Sequence, residues 1–402
     1  MKKLSLILIF ALLCGLCACG GEKPAAEPAP AEVPAETETE AVVTEAPAET
    51  PAAEEDGIRW SFADGTLTVR GSGCMEDYEF LNAPWDLAGN SFSVEKLVVE
   101  EGVSYLSKYA FSACCNLSEV ELPASLRRIG AYCFADCGAL RTLTLPKGLL
   151  AVEESAFSGC GLVELKLPEG LAEIGECAFT NCIDLLTAEV PESLLTVGDD
   201  AFLGCGELTV ELPRGAACES WFKDAGITVK NVGAATGELS WSGEDWKLEK
   251  GVLSLSMTGS MPDYSSMGAY SAPWLPMSPV IERVELTDGV TSVGDYSFWA
   301  CPALKSVYLP EGIERIGDYA FGACGALEKL ELPSTLKTVG YGSFSYCTSL
   351  TSLTLPEGLE TVGVDAFARC SGISDVEKPA SLKNIGAGAF NFAGENTGEL
   401  TD

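Results

Sequence analysis

The stretch Ile316-Gly317-Asp318-Tyr319-Ala320-Phe321-Gly322-Ala323-Cys324 constrains the fold more than any other feature, because its skeleton, aliphatic-Gly-x-x-Ala-Phe-x-x-Cys, keeps returning. The Phe falls at Phe111, Phe134, Phe157, Phe179 and Phe202, and again at Phe298, Phe321, Phe344, Phe367 and Phe390, in steps of 23 residues with one of 22. Three residues after each Phe stands Cys114, Cys137, Cys160, Cys182, Cys205, Cys301, Cys324, Cys347 and Cys370, and only Ala393 breaks the rule. A fixed period of this length marks a unit that cannot bury its apolar side alone and must stack on copies of itself.

Each period also carries a strand-like stretch ending in Pro, such as Leu143-Thr144-Leu145-Pro146 and Leu353-Thr354-Leu355-Pro356. Strand alternation turns its aliphatic residues inward and its middle residue outward. The pairs Ile129-Gly130, Ile174-Gly175 and Val339-Gly340 follow, and glycine is expected there to let the backbone turn a corner. One period is therefore one coil of a solenoid.

A longer duplication contains the short one. Trp60 and Trp246 lie 186 residues apart, as do Asp77 and Asp263, while Phe111 and Phe298 lie 187 apart. Each copy opens on a hairpin signal, in the first case Ile58 to Phe62, the turn Ala63-Asp64-Gly65 and then Thr66 to Arg70. A Met-x-Asp-Tyr and an Ala-Pro-Trp follow in both copies. The expected organisation is a first array with its β lead-in and a C-terminal capping helix over residues 57–230, a joint at 231–237, and a second array with its lead-in over 238–393. The helix is placed at Ala216 to Ala225, where Trp221 and Phe222 can cover the last coil. The last coil of the second array has Lys378 where Leu is expected and reads as a worn repeat, although a truncated sequence would look the same; 394–402 is a tail.

Residues 1–19 read as an export signal: Lys2 and Lys3, an apolar run from Leu4 to Leu13, then small residues. Leu16-Cys17-Ala18-Cys19 resembles a bacterial lipobox, which implies acylation of Cys19 and a lipid-anchored protein outside the cytoplasm; plain cleavage and secretion is the alternative. Residues 20–56, rich in Pro, Ala, Glu and Thr, have too little apolar surface to fold and read as a stiff, acidic, disordered linker.

The pattern L-x-x-L-x-L-P-x-x-(L/V)-x-x-(I/V)-G-x-x-A-F-x-x-C resembles the BspA-type leucine-rich repeat of bacterial surface proteins, over roughly residues 57–393. The resemblance implies a mainly-β solenoid of right-handed coils in two tandem arrays, and a surface adhesion protein with a protein or glycan partner. It does not name the partner, because such repeats frame many ligands.

Composition removes several functions. A formal charge of -34 opposes nucleic acid, and the absence of histidine removes the usual base and metal ligand. No Ser/His/Asp order and no phosphate-binding glycine loop exists, so no cofactor, metal or catalytic residue is expected. A two-carboxylate glycosidase stands as a third reading behind adhesion and a ligand-free envelope spacer.

Three sets of residues remain as candidates. The outward strand positions Glu121, Thr144, Lys166, Glu189, Glu211, Tyr308, Glu331, Thr354 and Glu377 form a column that leans acidic and could face a ligand or only solvent. The lead-in aromatics Tyr78, Trp85, Tyr264 and Trp274 stand near Asp77 and Asp263, a combination that suits a sugar if the rings are exposed and an end cap if they are not. The nine column cysteines read as buried thiols, since in-register neighbours point their Cβ atoms the same way; the scattered Cys74, Cys115, Cys133, Cys177 and Cys218 leave disulfides open.

Overall fold

A computed structural model describes residues 57–268 and 270–393. The signal segment 1–19 with Cys19, the linker 20–56 and the tail 394–402 lie outside the described residues. The folded chain is a mainly-β leucine-rich-repeat solenoid whose strands stack in parallel about 23 residues apart, as in Arg128 beside Ala151 and Glu173 beside Thr196.

Each coil has three sides. The first carries the Leu-x-Leu strands: Lys96–Val99 and Glu119–Glu121, then Glu164–Lys166, Thr187–Glu189, Thr209–Arg214 and Thr228–Ala234 in the first array. This sheet is interrupted around residues 141–146, where Thr144 sits. The second side is a ladder of shorter strands, from Val103–Leu106 through Arg128–Ile129 and Ala151–Val152 to Thr196–Val197. The second array repeats both sides, with Arg283–Leu286, Ser306–Tyr308 and Lys329–Leu330 on one and Val290–Val293 to Asn384–Ile385 on the other. The lead-in hairpin, Arg59–Ala63 against Thr66–Arg70, joins the first side by pairing Thr66–Arg70 in parallel with Lys96–Val99. Trp246–Glu249 and Val252–Leu255 do the same for the second array.

The third side is the Ala-Phe turn, and here the chain departs from any regular strand. The residues two before and two after the Phe take left-handed φ in coil after coil: Tyr109 at 60° and Ala113 at 59°, Tyr132 and Asp136, Cys177 and Asn181, Tyr319 and Ala323. Amides of this segment then donate to the next coil, as Tyr109 N to Ala131 O (3.0 Å), Phe111 N to Cys133 O (2.8 Å) and Ala113 N to Ala135 O (2.7 Å). Every such N–H points toward the C-terminal end of the array and every such C=O points back. The corners are thus turned by these left-handed residues, not by the glycine of the aliphatic-Gly pair. Gly130, Gly175 and Gly340 do not have positive φ. They are glycine because the coils approach too closely there: a Cβ on Gly175 would lie 2.6 Å from Glu154 N, and one on Gly340 2.7 Å from the Gly317 carbonyl carbon.

Inside, the Phe rings form two continuous stacks. Centroids lie 5.3 Å apart from Phe111 through Phe134 to Phe157, and 5.3 and 5.2 Å apart from Phe321 through Phe344 to Phe367. The coil pitch sets that spacing, because strand neighbours lie about 4.8 Å apart. All fourteen cysteines of the described residues are free thiols, and the nine of the column are buried. Their position has a polar reason as well as an apolar one. Cys137 Sγ donates to Phe111 O at 3.2 Å, Cys160 to Phe134 O at 3.0 Å and Cys370 to Phe344 O at 3.1 Å, each bond linking a coil to the one before it. Burial pushes the Cys114 thiol up to about 12 and raises the Cys137 and Cys160 thiols well above the usual range as well.

The second array lies against the first. Trp241 Nε1 donates to Gly170 O at 2.9 Å, with Leu150 and Ala172 packed into the second array's apolar cluster. Arg128, buried in the ladder of the first array, pairs with Glu153 at 2.9 Å and reaches Ser271 Oγ of the second lead-in at 2.7 Å.

Candidate functional site

The outward strand positions fall on one side of each array, and registry lines them up. Lys166 stands beside Glu189, Glu189 beside Glu211 and Glu211 beside Lys230. All nine are exposed except Glu211, which is half-buried. In the first array their charges are already answered. Lys166 pairs with Glu189 at 2.6 Å, Lys230 pairs with Glu211, and Lys96 bridges Glu119 and Glu121. Thr144 sits in the gap of the sheet. In the second array Glu285 aligns with Tyr308, and Tyr308 is 52% exposed. Glu331 directly follows Lys329–Leu330, the last paired strand of that sheet, and Thr354 and Glu377 lie beyond it in stretches without regular strand; neither carboxylate enters an ion pair among the described residues. The candidate positions thus differ between the arrays: the acids Glu121, Glu189 and Glu211 of the first are each paired with a lysine, whereas Glu331 and Glu377 of the second are not, although Glu285 beside the exposed Tyr308 is paired with Arg283 at 3.0 Å.

The lead-in aromatics come together as pairs, Tyr78 with Trp85 at 5.7 Å and Tyr264 with Trp274 at 5.6 Å, both edge to face. The Trp rings are closed to ligand. Trp85 and Trp274 are each 1% exposed and stack on the first Phe of their array, at 5.2 Å on Phe111 and 5.7 Å on Phe298. Their Nε1 atoms donate to Ala110 O and Ser297 O, both at 2.7 Å. Tyr78 N donates to Lys108 O (3.2 Å) and Tyr264 N to Asp295 O (2.9 Å). These are carbonyls of the first coil's turn segment, which point out of the array and have no earlier coil to meet. The recurring Asp-Tyr and Ala-Pro-Trp are what terminate that row. Asp77 and Asp263 act with them: Asp77 accepts from Lys108 N and Tyr105 Oη, and Asp263 accepts from Asp295 N. A sugar platform on Trp85 or Trp274 is therefore excluded by burial. Tyr264 keeps one edge on a cleft of about 390 Å³ beside Asp245, whose charge adds to burial in pushing the phenol up to about 12.

A set that the repeat arithmetic passed over lies on the turn side. Tyr296 stacks on Tyr319 at 5.1 Å, Tyr319 meets Tyr341 at 4.9 Å and Trp299 stands edge-on to Tyr319 at 5.4 Å. In the first array Tyr109 and Tyr132 stack at 4.8 Å. Tyr two residues before the Phe recurs in four coils, a signal available in the sequence. Their faces are spent on one another, so they offer edges and hydroxyls. Tyr132 Oη donates to Glu154 at 2.7 Å. Among the described residues no group of three or more Cys, Asp or Glu is placed to hold a metal, and no helix is long and apolar enough to cross a membrane.

Stacked coils with no shared chemical centre define a repeat protein, one whose variable residues sit on its outside. The BspA type leucine-rich repeat region matches residues 89–215 and 277–394 in six copies, more than half of the chain, and the protein belongs to that family. No curated protein matches. Among solved structures it is similar to a leucine-rich repeat protein from Eubacterium ventriosum, 23% identical over 84% of this chain and 93% of that one, with a TM-score of 0.35. It is also similar to a leucine-rich repeat protein from Bacteroides ovatus, 21% identical over 85% and 93%, with a TM-score of 0.33. A third is a leucine rich cell surface protein from Faecalibacterium prausnitzii, 20% identical over 87% and 94%, with a TM-score of 0.32.

Proposed function

We propose that the protein is a non-enzymatic, surface-exposed binding protein, held to the membrane through a lipid on Cys19 and engaging a protein or glycan through its second array. The contrast between the two strand faces carries this reading. On the first array Lys96, Lys166 and Lys230 neutralise the acids of the column. On the second, Tyr308, Glu331, Thr354 and Glu377 stay exposed, and the acids are without a cation. Unpaired acids around an exposed Tyr suit a basic or hydroxyl-rich partner that meets them by charge complementarity.

The test is a binding screen of the whole chain against glycans and matrix proteins, joined to protease shaving of intact cells. A partner found there should be lost with Tyr308→Ala and Glu331→Lys together and kept with Glu189→Lys. Retention by the first variant sinks the assignment of the face. The paired column of the first array favours a second reading, an envelope spacer without ligand; protection from shaving together with no saturable partner would select it.

A further inference from the structure

Each array has a carbonyl end and an amide end. The carbonyl ends are closed by Tyr78 and Trp85, and by Tyr264 and Trp274. The amide end of the first array is not closed. In the coil before the last, Cys177 N donates to Asp199 O (3.0 Å), Phe179 N to Ala201 O (2.7 Å) and Asn181 N to Leu203 O (2.7 Å). The corresponding amides of the last coil, Asp200, Phe202 and Gly204, have no acceptor among the described residues. They face a cleft of about 580 Å³ between that coil and the helix Glu219–Asp224, with Leu203 and Trp221 as its apolar wall and Asp200 and Glu207 on its rim. Leu203 is 57% exposed.

We propose that this cleft binds a basic, glycine-containing peptide segment of a partner protein, whose backbone carbonyls accept from the amides of Asp200, Phe202 and Gly204. The proposal rests on the reading of the chain as a binding protein. Three parallel donors with no protein acceptor, at the exposed Asp200 and Gly204 and at Phe202 between them, match an acceptor-only edge. A simple anion fits poorly, because no Lys or Arg lines the cleft while Asp200 and Glu207 do, neither in an ion pair. A second copy of the chain cannot supply the edge either, because the first-coil carbonyls at Lys108, Ala110, Asp295 and Ser297 already accept bonds from the lead-ins. What meets the same row inside the array is polypeptide with left-handed residues at both ends, here Asp200 at φ 56° and Gly204 at 78°. Glycine adopts that conformation without a Cβ penalty. Lysine side chains on such a segment would reach the two rim carboxylates and lay their stems on Trp221.

The probe is a fluorescein-labelled octapeptide of alternating glycine and lysine, with glutamate replacing lysine in the control. It is titrated into the whole chain by anisotropy, with residue-resolved amide exchange as second readout. The lysine peptide should bind saturably and slow exchange at Asp200, Phe202 and Gly204, and the control should not bind. Asp200→Asn with Glu207→Gln, which keeps a residue tolerant of left-handed φ, should weaken binding about tenfold. Binding without protection of those amides, unchanged affinity in the double variant, or no binding at all would overturn the site. Protection by sulfate alone would make it an anion site instead. If the peptide fails while the surface screen still yields a partner, the cleft is wrong and the binding reading stands.

Discussion

Two alanines three residues apart in one motif should answer the same substitution with opposite signs. Ala320 is fully buried and has negative φ, whereas Ala323 sits at φ 61° with its methyl half-buried. Ala320→Gly loses about 0.8 kcal/mol of methyl burial and a further ~0.4–1 kcal/mol through the looser unfolded chain, so it should cost about 1–2 kcal/mol. Ala323→Gly pays the same chain term and less burial, but it recovers the ~1–2 kcal/mol that a Cβ costs in the left-handed region. The net lies between no change and about 1 kcal/mol of stabilisation. Long repeats do not unfold in two states, so a single midpoint is a poor measure. The appropriate readout is local opening by amide exchange at Phe321 and Ala323, whose N–H groups donate to Ser343 O and Ser345 O at 2.8 and 2.7 Å. Protection should fall in Ala320→Gly and hold or rise in Ala323→Gly. Equal losses in both would refute the left-handed turn side, and with it the aligned row of amides.

Trp274→Phe keeps a ring on Phe298 but leaves the buried carbonyl of Ser297 without its donor, so the first coil of the second array should lose about 1–3 kcal/mol, read as faster exchange at Phe298. Alkylation of the denatured chain without reductant should label every cysteine from Cys74 to Cys370, whereas native labelling should begin at the half-buried Cys74, Cys115 and Cys177; linked column thiols in a peptide map would contradict the S–H to carbonyl ladder. The Glu219 carboxyl is held down at about 2 by the Lys223 ammonium, the Gly215 amide and Asn231. A depressed carboxylate contributes stability above its unfolded value of about 4.3 and loses it as pH falls toward the folded value, so the capping helix should loosen between about pH 4 and pH 2. Trp221 fluorescence should report that change, and Glu219→Gln should remove its pH dependence.

The coil was legible in the sequence because its interior is monotonous: Leu, Ala-Phe and Cys recur at fixed spacing, and a residue that must fit a copy of itself has little freedom. The turn side was not legible, because its left-handed positions are filled mostly by Tyr, Ala, Ser, Cys, Asp, Asn and Arg, no one of which announces φ above zero, with glycine only at Gly159, Gly204, Gly342 and Gly388. Glycine pointed the wrong way: Gly130, Gly175 and Gly340 mark close approach between coils, while the corners lie two residues either side of the Phe. Asp77, Tyr78 and Trp85 were visible as a repeated signature, yet their role required knowing that the first coil ends in outward carbonyls. The difference between the strand faces was invisible for another reason. It depends on Lys96 and Lys230, which lie outside the motif and act across strands.

The direction of the turn-side peptides also accounts for the form of the duplication. A parallel strand exposes donors and acceptors on each edge, so an array built only of strands could be lengthened by adding coils. Here every turn segment sends its amides one way, and an array has unlike ends. Its carbonyl end must be met by donors, which the lead-in supplies through one Tyr amide and one Trp indole. A second array that begins beside the first, and not on top of it, cannot borrow donors from the amide row at Asp200, Phe202 and Gly204. It has to carry its own Tyr264 and Trp274, and it does, 186 and 189 residues on from Tyr78 and Trp85. The second lead-in then serves twice, closing its own array and, through Trp241 and Ser271, packing on the ladder of the first. That sideways packing puts no further coil on the amide row of the first array; the helix Glu219–Asp224 covers its last Phe through Phe222 at 5.6 Å but supplies those amides no acceptor.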